Sequence, residues 1–211
     1  MKRDRLGVCC ACAMAGLVLA GGCGKPREGI TMAGSTAFQP FAEKLSDLYM
    51  NAHPEVSITI QGGGSALGIK SALSGTAQIG MADLVILPKE ADTLKNIVVA
   101  RDGIAVVLNP ANPVTGLTLE QVRGLFSGAV RNWKAVGGPD HAVNVISREA
   151  GSGTRTSFEQ IIGGVSLTED ALIQDSNGTI RETVANDAHA VGYLSHGLIN
   201  EKIKPVPVDG F

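Results

Sequence analysis

Hydrophobic residues along this chain recur with two periods, which predict alternating strands and helices. Short apolar runs rich in Val, Ile and Ala, bounded by Gly, Pro or polar residues, are typical of buried strands. The predicted strands span residues 30–32, 56–61, 77–80, 97–100, 104–108, 143–147, 190–194 and 203–208.

Helices are predicted between these strands. Residues 38–52 place Phe38, Phe41, Leu45 and Leu48 on one face, as an amphipathic helix does. Two further helices are predicted at 66–73 and 154–162.

Two more helix starts follow from capping boxes. TLEQ, from Thr118, and TIRE, from Thr179, each place Thr three residues before Gln or Glu. Alternation of strand and helix over most of the chain predicts an α/β fold.

The segment NPANP at 109–113 can be neither regular helix nor central strand, and so marks a crossing between two lobes. We assign residues 30–108 plus about 195–211 to lobe 1, because the last strand can return there, and residues 109–194 to lobe 2.

Residues 1–22 have the pattern of a signal peptide, with a basic start, an apolar middle and small residues before Cys23. LVLAGGC resembles the bacterial lipoprotein signal, which implies lipid attachment at Cys23 and a lipid-anchor tether at 23–29. Ala20 stands where that signal favours a branched residue, so a plainly secreted protein is the alternative.

Composition excludes several classes of function. A formal net charge of -2 and a pI of about 6.1 argue against nucleic acid, which demands a basic face. The sequence contains neither GxxxxGK[ST], nor GxSxG, nor HExxH, and no base is evident for Ser152. All four cysteines lie at or before Cys23, so the rest of the chain has no cysteine ligand and we expect no metal site. Because these motifs and a base are missing, we also expect no cofactor and no enzymatic chemistry.

Four glycine-marked turns, each where a strand precedes a helix, carry the candidate chemistry: GSTAF (34–38), GGGS (62–65), GMAD (80–83) and SREAGSGTR (147–155). The first turn of a helix leaves backbone N–H groups free and carries the positive end of the helix dipole. Such turns together predict a socket for an oxyanion, held by local donors because the chain is acidic overall.

Six segments in order resemble a known family: GSTAFQPF, ITIQGGGSALGIK, AQIGMAD, LTLEQVRGLFSGAVRNWKAVGG, VISREAGSGTRTSFE and QDSNGTIRETVANDAHAVGYL. The family is the periplasmic phosphate-binding protein of the bacterial high-affinity phosphate ABC importer. The resemblance implies a two-lobed periplasmic binding protein of type II, with its ligand cleft between the lobes. Members of the family usually continue beyond the strand at 203–208, so we expect either a short natural variant or an incomplete chain. Trp133 has no ligand role in this pattern and is expected to be a packing anchor.

The resemblance also implies a set of phosphate-binding residues. Hydroxyl or backbone N–H donors are expected from Thr36, Ala37, Ser65, Ser152, Gly153 and Thr154, and positive charge from Arg148. Asp83 is the exception, since a carboxylate beside an anion is repulsive unless the anion donates a proton. It would therefore favour protonated phosphate over sulfate, with Arg148 pairing to both Asp83 and the anion. Arg155 is either a further source of positive field or a structural ion pair.

The expected function is extracytoplasmic binding of inorganic phosphate by a lipid-anchored monomer that delivers it to a membrane permease. Two alternatives stay open: a phosphate-sensing or scavenging module of the same fold, and a binder of another protonated oxyanion.

Overall fold

The computed structural model describes residues 28–211, so the predicted signal peptide at 1–22 and the predicted lipid attachment at Cys23 lie outside the described residues. The end of the expected tether at 23–29 is described, and it is strand rather than linker. Glu28 and Gly29 pair with Val56 and Ser57 in a parallel ladder. Strand β1 therefore starts two residues earlier than its apolar run indicates.

The first part of the chain builds a parallel sheet of three strands. Its elements are β1 (Glu28–Gly34), α1 (Gln39–Ala52), β2 (Val56–Gly62), α2 (Gly64–Ser74) and β3 (Ile79–Met81). The strand order is β2-β1-β3, and a 3₁₀ helix follows at Lys89–Thr93. We call residues 28–103 the three-stranded half.

The rest of the chain builds a mixed sheet of five strands, in the order β6-β5-β7-β4-β8. Its elements are β4 (Ile104–Leu108), α3 (Leu119–Ser127), β5 (Asn144–Arg148), α4 (Gly153–Ile161), β6 (Leu172–Gln174), α5 (Asn177–Ala185), β7 (Ala190–Ser195) and β8 (Lys204–Pro205). We call residues 104–211 the five-stranded half. No helix in the described residues is both long and apolar enough to cross a membrane.

The sheet membership of β4 and β8 corrects the predicted lobe boundaries. β4 pairs antiparallel with β7 along its whole length, and β8 pairs with β4, so neither strand belongs with the first sheet. The continuous apolar run of β4 suits a strand covered on both faces, and Val107 and Leu108 are fully buried there. An apolar pattern predicts a strand but does not say which sheet will contain it.

Two strand predictions differ from the structure. Residues 97–100 form no strand, and the side chains of Ile97, Val98 and Val99 are 70%, 85% and 69% exposed. A β-branched run needs a neighbouring strand edge to pair with, and here it has none among the described residues. Strand β6, which pairs in parallel with β5, was not predicted.

Of the two predicted helix caps, one agrees with the structure and one does not. Thr118 caps α3 through the predicted capping box with Gln121. The start predicted at Thr179 is wrong, because Ser176 caps α5 and Thr179 is its partner three residues later. Ser176 offers the same hydroxyl one turn earlier, and the helix begins at the first usable cap.

Both buried apolar clusters in the described residues belong to the five-stranded half. Trp133 is fully buried in the larger one and donates its indole N–H to the carbonyl of His189 at 2.8 Å, which confirms it as a packing anchor. In α1, by contrast, Phe41, Leu45 and Leu48 are 45%, 57% and 59% exposed. The apolar face predicted for α1 is real in sequence, but it lies at the surface.

Candidate anion-binding site

The predicted turns come together where the two halves meet. Each follows the carboxyl end of a strand: GSTAF follows β1, GGGS follows β2, Asp83 follows β3, and SREAGSGTR spans the end of β5 and the start of α4. Carboxyl ends of parallel strands are where α/β folds place ligand sites.

Asp83 is at the centre of this contact. Its Oδ1 accepts a hydrogen bond from the Ser65 hydroxyl at 2.5 Å, and its Oδ2 accepts one from the Thr154 hydroxyl at 2.6 Å. Ser65 belongs to the three-stranded half and Thr154 to the five-stranded half. The Asp83 carboxylate therefore joins the two halves through short, charge-assisted hydrogen bonds.

Gly153 makes this close contact possible. A Cβ at this position would collide with Ser65 Oγ and Asp83 Oδ1, so any other residue would displace these side chains from their present contact. Gly153 is also the first residue of α4, where backbone N–H groups lack partners within the helix.

Thr36 enters the same network through a residue that was not predicted. Its Oγ1 accepts hydrogen bonds from the backbone N–H of Asn177 at 3.3 Å and from Asn177 Nδ2 at 3.1 Å. Asn177 Nδ2 also donates to Thr154 Oγ1 at 3.3 Å. The available signal was the helix start in SNGT, which the family resemblance covers without giving Asn177 a role.

Arg148 is 1% exposed, which is unusual for a guanidinium. Its predicted partner Asp83 is not the partner observed, since Nε and Nη2 donate to the two carboxylate oxygens of Glu149, both at 2.8 Å. Glu149 follows directly in sequence and pairs with the guanidinium in fork-to-fork geometry. Nη2 also donates to the carbonyl of Asp175, and Nη1 is buried with no partner among the described residues.

The remaining predicted residues have local structural roles. Ser152 is buried and caps α4, its hydroxyl accepting from the backbone N–H of Arg155 at 3.2 Å. The backbone N–H of Ala37 donates to Ser35 Oγ at 3.2 Å, so Ser35 is a second residue missed from sequence. Of the two readings of Arg155, the structural one is observed: it pairs with Glu159 at 2.7 Å and donates to the carbonyl of Arg148 at 2.8 Å.

Tyr193 contacts the backbone of Arg148 and the side chain of the residue before it. Its hydroxyl is 2.8 Å from Ser147 Oγ and accepts from the backbone N–H of Arg148 at 3.3 Å. Burial raises the pKa of the Tyr193 hydroxyl above its ordinary value.

The site thus combines a buried guanidinium paired with Glu149, several hydroxyls and the carboxylate of Asp83. Ser65, Asp83, Gly153, Thr154 and Thr36 form one connected group, whereas Arg148 and Ser152 approach from β5 and the start of α4. No group of His, Cys, Asp or Glu side chains in residues 28–211 is arranged to hold a metal ion. Such a set suits an oxyanion, with donors for charged oxygens and an acceptor for a protonated one.

Comparison with known families agrees with this class of site. A family model described as the PBP superfamily domain matches residues 22–204 of this chain. The chain therefore belongs to the PBP superfamily, and the α/β fold predicted from sequence is confirmed.

Among characterised relatives, the phosphate-binding protein PstS of Bacillus subtilis is 30% identical over 190 residues, covering 88% of this chain and 63% of that protein. PstS of Borreliella burgdorferi is 24% identical over 184 residues, covering 83% of this chain and 66% of that protein. The chain thus spans a little under two thirds of the length of these relatives. These relatives are binding proteins, and the predicted resemblance to phosphate-binding proteins is confirmed.

Two solved structures give the same picture. A protein from Clostridium perfringens, described as a phosphate ABC transporter substrate-binding protein with bound phosphate, superposes with a TM-score of 0.83 at 38% identity, over 87% of this chain and 76% of that one. An ABC-type phosphate transport receptor from Vibrio cholerae gives a TM-score of 0.68 at 38% identity, over 86% and 77% of the two chains.

Proposed function

We propose that this chain binds inorganic phosphate outside the cytoplasmic membrane and delivers it to an ABC importer. One observation carries the proposal: Asp83 accepts a hydrogen bond from a hydroxyl of each half, and the turn that supplies Thr154 follows a strand that ends in the buried guanidinium of Arg148. A site for a fully ionised anion would have no use for a carboxylate, because the charges repel.

Phosphate fits this donor and acceptor pattern because it keeps a proton near neutral pH. Each oxygen of the Asp83 carboxylate has a second lone pair beyond the one engaged by Ser65 or Thr154, and can accept from a P–OH group. The unpartnered Nη1 of Arg148 can donate to a charged phosphate oxygen. Sulfate has no proton to offer, so it would leave Asp83 opposed by an unprotonated oxygen.

The proposal is for binding without catalysis. The hydroxyls of Ser65 and Thr154 face a carboxylate that is hydrogen bonded, and no histidine takes part in the network of Thr36, Ser65, Asp83, Thr154 and Asn177. The curated relatives are binding proteins, which supports this proposal.

The location and partners follow from this proposal. The chain would be a monomer anchored through lipid on Cys23, and its partner would be the membrane permease of the importer. The family resemblance and the pattern of residues 1–23 support this arrangement.

Isothermal titration calorimetry on the purified protein, stripped of bound anion, tests the function directly. Phosphate is expected to bind tightly at neutral pH and sulfate to give little heat. A folded protein that binds neither anion would contradict the proposal.

Arsenate in the same titration separates phosphate from a similar protonated oxyanion. Uptake of phosphate by cells lacking the gene separates transport from sensing or scavenging.

Asp83→Asn sharpens the test. An amide can donate where the carboxylate only accepts, so the variant is expected to lose most of its preference for phosphate over sulfate. The measurement is the ratio of the two dissociation constants. Asp47→Asn, on the exposed surface of α1, makes the same chemical change away from the site and should leave the ratio unaltered. An unchanged ratio in Asp83→Asn would refute the role given to Asp83.

A further inference from the structure

Asn177 is fully buried at the first position of α5, where it touches both halves of the molecule. Its Oδ1 accepts from the backbone N–H of Ser195 at 3.0 Å, and its Nδ2 donates to Thr36 Oγ1 and Thr154 Oγ1 at 3.1 Å and 3.3 Å. Every hydrogen-bonding atom of the Asn177 carboxamide is thus engaged.

The orientation of this carboxamide is fixed by its surroundings. A backbone N–H can only donate, so the atom facing Ser195 N must be the amide oxygen. The amide nitrogen then necessarily faces the two threonines. Its two hydrogens are divided between Thr36, from the three-stranded half, and Thr154, from the five-stranded half.

This arrangement dictates the direction of both hydroxyls. A hydroxyl has two lone pairs and one hydrogen. Thr36 Oγ1 accepts from both the backbone and the side chain of Asn177, so both lone pairs are used and only its O–H hydrogen is left to bond. Thr154 Oγ1 accepts from Asn177 and uses its hydrogen on Asp83 at 2.6 Å.

We infer that Asn177 is a positioning residue that makes Thr36 an obligate donor to the bound anion. This inference rests on the proposed function and deepens it. Asn177 leaves Thr36 with only a hydrogen to donate, so this donor is set before the anion binds. Its own side chain has no hydrogen left for the anion.

A double-mutant cycle on phosphate affinity tests this inference. Thr36→Val removes the hydroxyl with little change in shape, and is expected to weaken phosphate binding on the order of ten-fold, as loss of a hydrogen bond to a charged group does. In the Asn177→Ala background, where the Thr36 hydroxyl is no longer directed, the same substitution should cost less than about two-fold. An equal loss in both backgrounds would overturn the inference.

Two further variants keep the cycle decisive. Should Asn177→Ala fail to fold, Asn177→Asp retains the shape and the acceptor for Ser195. Its carboxylate would draw the Thr36 hydrogen away from the anion, so Thr36→Val should again add less than about two-fold. Asn144→Ala is the matched control: its side chain donates to Asp187 at 2.7 Å at the exposed start of β5, and Thr36→Val should keep its full effect there.

The same experiment separates this inference from the function beneath it. A parent protein that folds but does not bind phosphate refutes both. A parent that binds phosphate, with independent effects of Thr36 and Asn177, refutes only the positioning role.

Discussion

The two halves of the molecule divide stability and ligand chemistry unequally. The five-stranded half contains both buried apolar clusters, including Trp133, Phe126 and Tyr193. The three-stranded half supplies Thr36, Ser65 and Asp83 to the candidate site, yet it exposes the large side chains of α1 and of residues 97–99. Buried apolar area is the main source of folding free energy, so we expect the five-stranded half to dominate stability.

The three-stranded half packs by a different device. Helix α2 lies directly on the strands, because Gly68 meets the backbones of Ala33 and Gly34 while Gly80 meets the backbone of Gly68. Any Cβ at Gly34, which also has a φ of +132°, would collide with Met81. Contact between backbones gives precision at the ends of β1 and β3 but buries little apolar area. Amide hydrogen exchange should therefore be faster in this half.

The largest expected effect is on the free energy of unfolding, and it tests the difference in stability between the two halves. Trp133→Ala removes a fully buried indole and its hydrogen bond to His189, and should lower the free energy of unfolding by roughly 3 to 5 kcal/mol. Leu48→Ala, on the exposed face of α1, is the counterpart and should cost under about 1 kcal/mol. Urea denaturation followed by circular dichroism measures both, and similar losses would contradict the division.

The next effect concerns ligand affinity. Arg148→Ala removes the buried guanidinium that the five-stranded half contributes, and should weaken phosphate binding by about 2 to 5 kcal/mol. Arg131→Ala removes the same charge from a side chain that is 76% exposed and should change affinity little. Calorimetric titration compares the two. Equal affinities would mean that the site works without Arg148.

The smallest effect sharpens the boundary between the halves. Ser176→Ala and Thr118→Ala each remove the cap of a helix in the five-stranded half, and each should cost about 1 kcal/mol of stability. Only Ser176 precedes Asn177, which contacts Thr36 in the other half. Phosphate affinity should therefore fall in Ser176→Ala and stay unchanged in Thr118→Ala. A fall in both would point to a general loss of folding.

The sequence predicted that the strand-to-helix turns lie close together, but it did not predict the hydrogen-bond partners of their side chains. Ser65, Asp83, Gly153 and Thr154 do converge, because strand-to-helix turns at one edge of a fold must lie close together. Whether Arg148 pairs with Asp83 or Glu149 depends on which carboxylate its side chain can reach in the folded protein, and no local sequence pattern encodes this.

Topology was the second limit of prediction. The apolar runs of β4 and β8 identified strands, but pairing with β7 and β4 is a contact between distant residues. In the same way, Asn177 is a polar residue in a helix start, and its importance depends on Thr36, which lies 141 positions away in sequence.

Gly153 has a thermodynamic consequence. Because a glycine stands there, this part of the contact between the halves is made by the oxygens of Ser65, Asp83 and Thr154 rather than by packed carbon. Separating polar atoms exposes little apolar surface, so opening this contact should scarcely change the heat capacity or respond to urea, whereas unfolding the five-stranded half should do both. Scanning calorimetry would thus detect unfolding of the core of the five-stranded half, but it would give almost no signal for movement at the site itself.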